Sequence, residues 1–477
     1  MACSQQNRDI STLINKDLNN IDPNKLTQYE IEVDLDDENM LYTGKQWVDY
    51  VNRTGKVLGE IYFHLYPNAF KNFDQAPILF SKDKYSKSNY VGGYIDIEKI
   101  LINNKPVHFS ILEDDETTLY IKLEEPLLQG QSQRIYLEYK VKLPSSKDRF
   151  GYGHRTINFG NWYPIVCVYD ENGWNIDPYY QVGDPFYSDL ANYKVTIKTH
   201  KDMVVASSGN IVSSKLEADR KVYNIEGRMI RDFAWVASKE FKVEDRKIDE
   251  TLVKLYYLDR NYDMVNKSLQ VGGDSLQIFN RIFGQYPYGV YSIVMTEFPS
   301  GMEYPGIVFI GEEYFRNSLT YILEQIIVHE TAHQWWYGLV GNNQIREAWL
   351  DEGLTTFSEV IYNREKYGKK QGEDYFIQNI KLGYELGQSY LIGEENIVNK
   401  PLNEFNDWND YSLLVYSKGA MFINAIEEEF GQKALYKILN NYYERYKYHN
   451  ATLDDFIKVC EEVTKRDLQG LVEEWLH

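Results

Sequence analysis

The sequence predicts an α+β protein of two domains, an antiparallel β domain followed by a mostly helical domain. Short segments between residues 28 and 243 alternate apolar and polar side chains, as half-buried strands do, and turn residues separate them. From residue 263 onward, apolar residues recur mainly at helical spacing. With 477 residues, the chain is also too long for one ordinary core. We therefore expect a flexible tail at residues 1–24, a β domain at residues 25–245 and a second domain at residues 246–477.

The β domain is expected to form a sandwich or a saddle-shaped pair of sheets. Alternation predicts its strands at residues 29–35, 57–65, 119–123, 135–141, 193–197, 203–206, 222–225 and 234–236. The second domain is expected to open with a strand at residues 252–257, an amphipathic helix at 263–283 and a strand at 291–295. Helices then follow from Ser318, which can cap the first of them, to Tyr367, and at residues 373–386, 417–430, 432–446 and 453–464.

Composition restricts the class of protein and of partner. The formal net charge of -20 argues against a nucleic-acid partner, because phosphate binding needs basic surface. No segment approaches the roughly 18 consecutive apolar residues of a transmembrane helix. Three cysteines are too few for a disulfide framework, and the apolar segments around Cys167 and Cys460 predict buried thiols. The sequence does not indicate an oligomeric state.

Cys3 has a different context. Ala-Cys followed by the polar run Ser-Gln-Gln-Asn resembles the start of a bacterial lipoprotein after its signal has been removed. One expectation is therefore a lipid anchor at Cys3, outside the cytoplasm. The alternative is a cytoplasmic protein with an accidental cysteine in a polar tail.

A metal site is predicted around residues 329–352. His329-Glu330-Thr331-Ala332-His333 is an HExxH motif, and on a helix its spacing places both imidazoles on one face, one turn apart. Glu352 follows His333 by 19 positions, which leaves room for a turn and an antiparallel return. Two neutral imidazoles, one carboxylate and an open fourth position are the ligand set of a catalytic zinc site.

Glu330 is the expected proton acceptor of this site. It is too constrained by the neighbouring His329 to be a third ligand, so it can instead accept a proton from water that the metal acidifies. The alternative is a buried helix with two incidental histidines. Since the chain has only eight histidines, chance placement of two of them around a glutamate, with Glu352 downstream, is improbable.

Four motifs make this chain resemble the aminopeptidase N family of gluzincin zinc metallopeptidases. These are HETAHQWW at residues 329–336, WLDEG at 349–353, SGMEYPG at 300–306 and YSKG at 416–419. The resemblance implies a thermolysin-like, mostly helical peptidase domain and one zinc ion held by His329, His333 and Glu352. It also implies that Glu330 is the catalytic base, that Gly301, Met302 and Glu303 contact the substrate, and that Tyr416 stabilises the oxyanion.

Each implied role has a physical reason. A carboxylate at Glu303 can pair with the ammonium of a peptide's amino terminus, and an edge strand at Gly301 and Met302 can pair with the peptide backbone. A phenol at Tyr416 can stabilise the negative charge that hydrolysis places on the carbonyl oxygen. Glu359, two helical turns after Glu352, can accept a hydrogen bond from a zinc-bound imidazole, although a surface salt bridge is the alternative.

Some features depart from the family pattern. Tyr304-Pro305-Gly306 stands where the family usually has Asn after Met-Glu, and the family's second amino-terminus-binding residue from the β domain is not evident; Asn158 and Glu171 are candidates. The large helical carboxy-terminal domain of the family has no counterpart before residue 477, which predicts a more open cleft. The expected function is a zinc aminopeptidase acting on peptides with a free amino terminus. The alternatives are an endopeptidase with an open cleft and a non-catalytic peptide-binding scaffold.

Overall fold

The structure is a computed structural model that describes residues 13–15, 17–77, 87–114, 116–259, 261–391 and 396–477. The predicted tail thus lies partly outside the described residues, and Cys3 lies outside them. The described end of the tail contacts the second domain. Leu13 forms an isolated β-bridge with Tyr288, and Asp17 forms an ion pair with Lys447 at 2.6 Å.

The amino-terminal domain consists of several β-sheets. Its strands are β1 (Thr27–Asp36), β2 (Leu41–Val51), β3 (Leu58–His64), β4 (Tyr94–Ile102), β5 (Lys105–Pro106), β6 (Phe109–Ile111), β7 (Thr118–Leu127), β8 (Ser132–Lys142), β9 (Phe150–Tyr152), β10 (Ile157–Phe159), β11 (Ile165–Val166), β12 (Tyr169–Asp170), β13 (Gly173–Trp174), β14 (Ala191–His200), β15 (Val204–Ser207), β16 (Asn210–Glu217), β17 (Arg220–Ile230) and β18 (Trp235–Ser238). The largest sheet has the order β16-β17-β14-β1-β2-β8-β4-β5, and smaller sheets are β15-β18-β10-β9, β11-β3-β7-β6 and β12-β13.

The alternation that predicts the strands reappears as alternating burial. In β1, Ile31, Val33 and Leu35 are buried, whereas Glu30 and Glu32 between them are exposed. One face of this strand therefore packs on the domain core, as expected for a strand in a layered β domain. Pairing is predominantly antiparallel as predicted, but β1 and β14 pair in parallel.

The carboxy-terminal domain begins with a sheet of its own. It contains β19 (Lys242–Ile248), β20 (Thr251–Tyr257), β21 (Val290–Thr296), β22 (Gly301–Met302) and β23 (Ile307–Gly311), in the order β19-β20-β21-β23-β22. The expected domain boundary at residue 246 falls inside β19, because this strand pairs with β20. The strand β21 is buried along its whole length, as is typical of a parallel strand covered on both faces. The short edge strand β22 carries the predicted substrate-binding segment.

Helices form the rest of this domain. They are α1 (Tyr262–Ile282), α2 (Thr320–Ala332), α3 (Trp349–Tyr367), α4 (Lys369–Tyr375), α5 (Leu382–Gly387), α6 (Trp408–Tyr411), α7 (Gly419–Phe430), α8 (Gln432–Tyr446), α9 (Leu453–Thr464) and α10 (Gln469–Trp475). Two π-helical segments interrupt them, Phe376–Lys381 between α4 and α5 and Ser412–Lys418 between α6 and α7. Such segments often occur at functional sites, and both border the cavity described below.

The predicted cap of the metal helix is wrong. A 3-10 turn at Asn317–Leu319 precedes α2, and its cap residue, Leu319, makes no side-chain cap hydrogen bond. Ser318 lies within that turn, one residue too early to cap the helix. The predicted burial of Cys167 and Cys460 is confirmed. Among the described residues, no helix is long and apolar enough to cross a membrane.

Candidate active site

The helices α2 and α3 pack against each other in antiparallel register and position the metal-site residues. α2 contains no proline or glycine, and its buried Leu323, Ile327 and Val328 hold it in the core. Three side-chain contacts join the helices at successive turns: His333 Nδ1 with Thr355 Oγ1 at 3.2 Å, His329 Nδ1 with Glu359 Oε1 at 2.6 Å, and Asn363 Nδ2 with Gln325 Oε1 at 2.8 Å. This register brings Glu352 of α3 beside both histidines.

The three predicted metal ligands meet in an almost equilateral triangle. His329 Nε2 and His333 Nε2 lie 3.2 Å apart, and each lies 3.2 Å from Glu352 Oε2. Zinc bound tetrahedrally at 2.0–2.1 Å would place its ligand atoms about 3.3 Å apart. The spacing and chemistry of this donor set therefore fit a zinc ion.

Hydrogen bonds on the outer nitrogens fix the two imidazoles in the form that binds a metal. His329 Nδ1 faces Glu359 Oε1, and His333 Nδ1 lies 3.1 Å from the main-chain oxygen of Trp336. Because a carboxylate and a main-chain oxygen accept hydrogen bonds, each Nδ1 is the donor and each Nε2 keeps a free lone pair in the neutral ring. Glu359 also accepts a hydrogen bond from the hydroxyl of Tyr375, which holds its carboxylate in place.

Glu330 lies next to the ligand triangle without a partner of its own. It is 6% exposed, and its buried Oε2 has no hydrogen-bond partner among the described residues. Burial raises the pKa of Glu330 to about 8, against the opposing effect of His329. A Cβ atom added to Gly301 would lie 2.0 Å from Glu330 Oε1, so the glycine leaves room for this carboxyl group. The arrangement suits a residue that accepts and returns a proton.

Tyr416 reaches the same cluster from the π-helical segment Ser412–Lys418. Its hydroxyl donates a hydrogen bond to Glu352 Oε1 at 2.6 Å, and its ring stacks on that of His329 with centroids 5.8 Å apart. Burial raises the pKa of the Tyr416 phenol well above its usual range, and the charge of Glu352 adds to the effect. The hydroxyl therefore keeps its proton and can act as a hydrogen-bond donor.

Glu303 lies at the other side of the triangle, next to His333. Its carboxylate is 4% exposed and belongs to a group with His333 and Asp351 whose polar atoms lie within 4.8 Å of one another. Gln344 links the two carboxylates, since its Nε2 donates to Glu303 Oε1 at 3.3 Å and to Asp351 Oδ2 at 2.7 Å. Burial raises the pKa of Asp351 to about 7, and the neighbouring Glu352 contributes to this shift.

Comparison with known proteins identifies the family of the helical domain. Residues 267–475 match the model of the peptidase family M1 domain. The helical domain is therefore similar to the peptidase family M1 domain over these residues. The resemblance to the aminopeptidase N family is thereby confirmed, and residues 267–475 include the ligand triangle, Glu330, Glu303 and Tyr416.

The similar proteins are longer than this chain. Aminopeptidase M1 of Arabidopsis thaliana is 23% identical over 300 residues, which are 60% of this chain and 34% of that protein. Aminopeptidase N of Streptomyces lividans is 28% identical over 204 residues, which are 40% of this chain and 23% of that protein. The chain thus spans about a third of the length of the first relative and about a quarter of the second.

The two-domain architecture has a counterpart among solved structures. An M1 zinc metallopeptidase from Deinococcus radiodurans superposes with a TM-score of 0.66 at 14% sequence identity, over 95% of this chain and 94% of that chain. The similarity covers both domains, so the predicted order of a β domain and a helical peptidase domain is confirmed.

A cavity of about 340 Å³ lies at the ligand triangle. It is lined by residues of both the helical domain and the β domain. Asp184 and Arg149 line it, and both are buried and ion-paired with each other. The polar atoms of Asp184, Glu303 and Glu352 lie within 4.8 Å of one another. The cavity therefore has an acidic end, which the β domain completes.

Asp184 was not predicted from the sequence. Neither candidate named from the sequence lines the cavity: Asn158 lies in β10, where its Nδ2 donates to the main-chain oxygen of Asp148, and Glu171 is exposed in the turn between β12 and β13. The segment Asp-Pro-Phe that begins at Asp184 resembles the family loosely and was the available signal. Nothing local in it indicates that Asp184 lies beside Glu303.

The loop after Glu303 has a defined shape despite its unusual sequence. Gln334, next to the second histidine of the HExxH motif, accepts a hydrogen bond from Gly306 N at 2.8 Å and donates to the main-chain oxygen of Tyr304 at 3.3 Å. The hydroxyl of Tyr304 donates to Asn161 Oδ1 in the β domain at 2.8 Å. Tyr304 is thus absent from the lining of the cavity at the metal site, and its side chain anchors the loop to the other domain.

Proposed function

We propose that this protein is a zinc-dependent aminopeptidase that hydrolyses the first peptide bond of peptides with a free amino terminus. The observation that carries the proposal is the position of the acidic end. Carboxylates of Glu303 and Asp184 lie directly beside the ligand triangle, on the side of His333. If the amino terminus of a peptide binds there, only one amino-acid residue fits between its ammonium group and the peptide bond at the metal site. An enzyme that removes single residues requires this spacing.

The residues of the site then have separate tasks. A zinc ion held by His329, His333 and Glu352 would supply Lewis acidity, which polarises the peptide carbonyl and acidifies water. Glu330 accepts a proton from the attacking water as the new carbon–oxygen bond forms. It then gives that proton to the leaving nitrogen as the carbon–nitrogen bond breaks, so its own protonation state is restored.

The other groups bind and orient the peptide. Tyr416 donates a hydrogen bond to the carbonyl oxygen as that oxygen gains negative charge. Glu303, supported by Asp184, pairs with the ammonium and so fixes which peptide bond reaches Glu330. The edge strand β22 offers its backbone for pairing with an extended peptide, because its partner β23 occupies only one side of it.

A pair of peptides that differ only in acetylation of the amino terminus tests the proposal. The zinc-loaded protein is expected to shorten the peptide with the free amino terminus one residue at a time from that end, and to leave the acetylated peptide intact. Mass spectrometry of a time course reads both results. Equal cleavage of the two peptides, or internal fragments as the first products, would support the endopeptidase alternative. No hydrolysis by protein with stoichiometric zinc would support a binding scaffold.

A further inference from the structure

The cavity has a second wall that the proposed catalytic steps do not use. It lies on the side of His329, away from Glu303, and is formed by Gln325 and Ile326 of α2 and by Asn379 and Ile380 of the π-helical segment after α4. Tyr375 links this wall to the site because its hydroxyl donates to Glu359, the partner of His329. Since the proposed function places the ammonium of the peptide at Glu303, this wall faces the part of the peptide that follows the bond to be cut.

The side-chain amide of Gln325 has an unused donor at this wall. Asn363 Nδ2 donates to the main-chain oxygen of Glu359 at 2.9 Å and to Gln325 Oε1 at 2.8 Å. Because a main-chain oxygen can only accept, the orientation of the Asn363 amide is fixed, and the oxygen of Gln325 must face it. The Gln325 amide nitrogen is therefore on the other side.

Gln325 is only 9% exposed. Its amide nitrogen is buried and has no hydrogen-bond partner among the described residues. Folded proteins rarely leave a buried donor unpaired, so this nitrogen needs a partner that the described residues do not supply. Gln325 lies one helical turn before His329, so a peptide that passes the ligand triangle reaches it next.

We propose that Gln325 binds the leaving segment of the substrate by donating a hydrogen bond to the main-chain carbonyl oxygen of the residue after the scissile bond. This proposal rests on the proposed aminopeptidase function. The distances agree with it. Gln325 lies eight residues before His333, the residue that caps the end of α2 beside Glu303, and eight residues are about 12 Å along a helix. Two extended residues span about 7 Å, and a hydrogen bond at each end adds about 2.9 Å.

The same wall favours an apolar side chain at that position of the substrate. Ile326 and Ile380 flank Gln325 in the cavity, and Ile380 is buried. Ile322, one turn earlier on α2, and Ile377 on the π-helical segment are 44% and 53% exposed, so these two segments also carry apolar side chains outside the cavity. The preferred substrates are therefore peptides with an apolar second residue.

Gln325→Glu tests the hydrogen bond with little change in shape. One carboxylate oxygen still accepts from Asn363, whereas the other can no longer donate and repels a carbonyl oxygen. We expect kcat/KM for leucyl-leucine amide to fall about tenfold or more, and kcat/KM for leucine 2-naphthylamide, whose leaving group has no carbonyl, to change by less than about twofold. Gln371→Glu, on the exposed side of α4, is the matched control and should leave both values unchanged.

Each other outcome has a distinct meaning. An equal loss on the two substrates would overturn the role of Gln325, because disturbance of the metal site or of the fold affects both. No loss on either substrate would overturn it as well. Gln325→Leu, which also lacks the donor but adds no charge, should reproduce the selective loss. If the wild-type protein with bound zinc hydrolyses neither substrate, the aminopeptidase proposal itself fails.

Discussion

The ligand triangle and the acidic end of the cavity are built in opposite ways. All three ligands of the triangle lie on the paired helices α2 and α3, and the outer nitrogen of each histidine has a hydrogen-bond partner. The acidic end combines Glu303, in the loop after the edge strand β22, with Asp184 of the β domain. The first region depends on local helical spacing, and the second on how two domains meet. Chemistry and substrate choice are therefore separable by mutation.

The largest effect is expected within the helical region. Glu330→Gln keeps the size of the side chain and removes the proton acceptor, so kcat should fall by about two to four powers of ten. Zinc should remain bound, because the triangle is intact, whereas His333→Ala should lose it. Steady-state kinetics and metal analysis of both variants measure this. Turnover at the wild-type rate in zinc-loaded Glu330→Gln would refute the assigned base.

The acidic end should respond in kcat/KM with the metal site unchanged. Glu303→Ala removes a carboxylate that we expect to contribute roughly 2–5 kcal/mol to binding of the ammonium, so kcat/KM for aminoacyl substrates should fall about a hundredfold. Zinc content should stay at the wild-type value. Glu244→Ala, on the exposed face of β19, is the control. A loss of zinc in Glu303→Ala would show that the two regions are not separable.

An intermediate effect is expected for the residue that supports the triangle from outside. Glu359→Gln weakens the hydrogen bond to His329 Nδ1 and should raise the zinc dissociation constant about ten- to a hundredfold. Competition with a chelator measures this constant. Added zinc should restore most of the activity, because Glu359 acts on the metal through His329. Activity that stays low at saturating zinc would assign Glu359 a different role.

The same contrast explains how far the sequence predicts the site. HExxH and the downstream glutamate are recognisable because a helix converts spacing directly into geometry, and the structure places His329, His333 and Glu352 within 3.2 Å of one another. Helices α8 and α9 have the predicted ends for the same reason. Asp184 could not be predicted, since its distance from Glu303 depends on the packing of two domains. The unused donor of Gln325 depends on the orientation of the Asn363 amide, which no sequence pattern encodes.

The smallest effect is expected for Asp184, because its charge is shared with Arg149. Asp184→Asn should lower kcat/KM for aminoacyl substrates about tenfold, less than Glu303→Ala does, and leave zinc bound. It should also lower the free energy of unfolding, since Arg149 is buried and loses its ion-pair partner.

An ion pair on the surface provides the control for the two effects of Asp184→Asn, on kcat/KM and on stability. Asp49→Asn breaks the pair with Arg134, in which the side chains are 38% and 51% exposed, and should change neither kinetics nor stability appreciably. The kinetics of the variants are compared at a temperature well below the unfolding midpoint of each, where all of them are folded. If folded Asp184→Asn retains the wild-type kcat/KM, Asp184 only holds Arg149 in place. The ammonium would then be bound by the helical domain alone, and the β domain would contribute no charge to the choice of substrate.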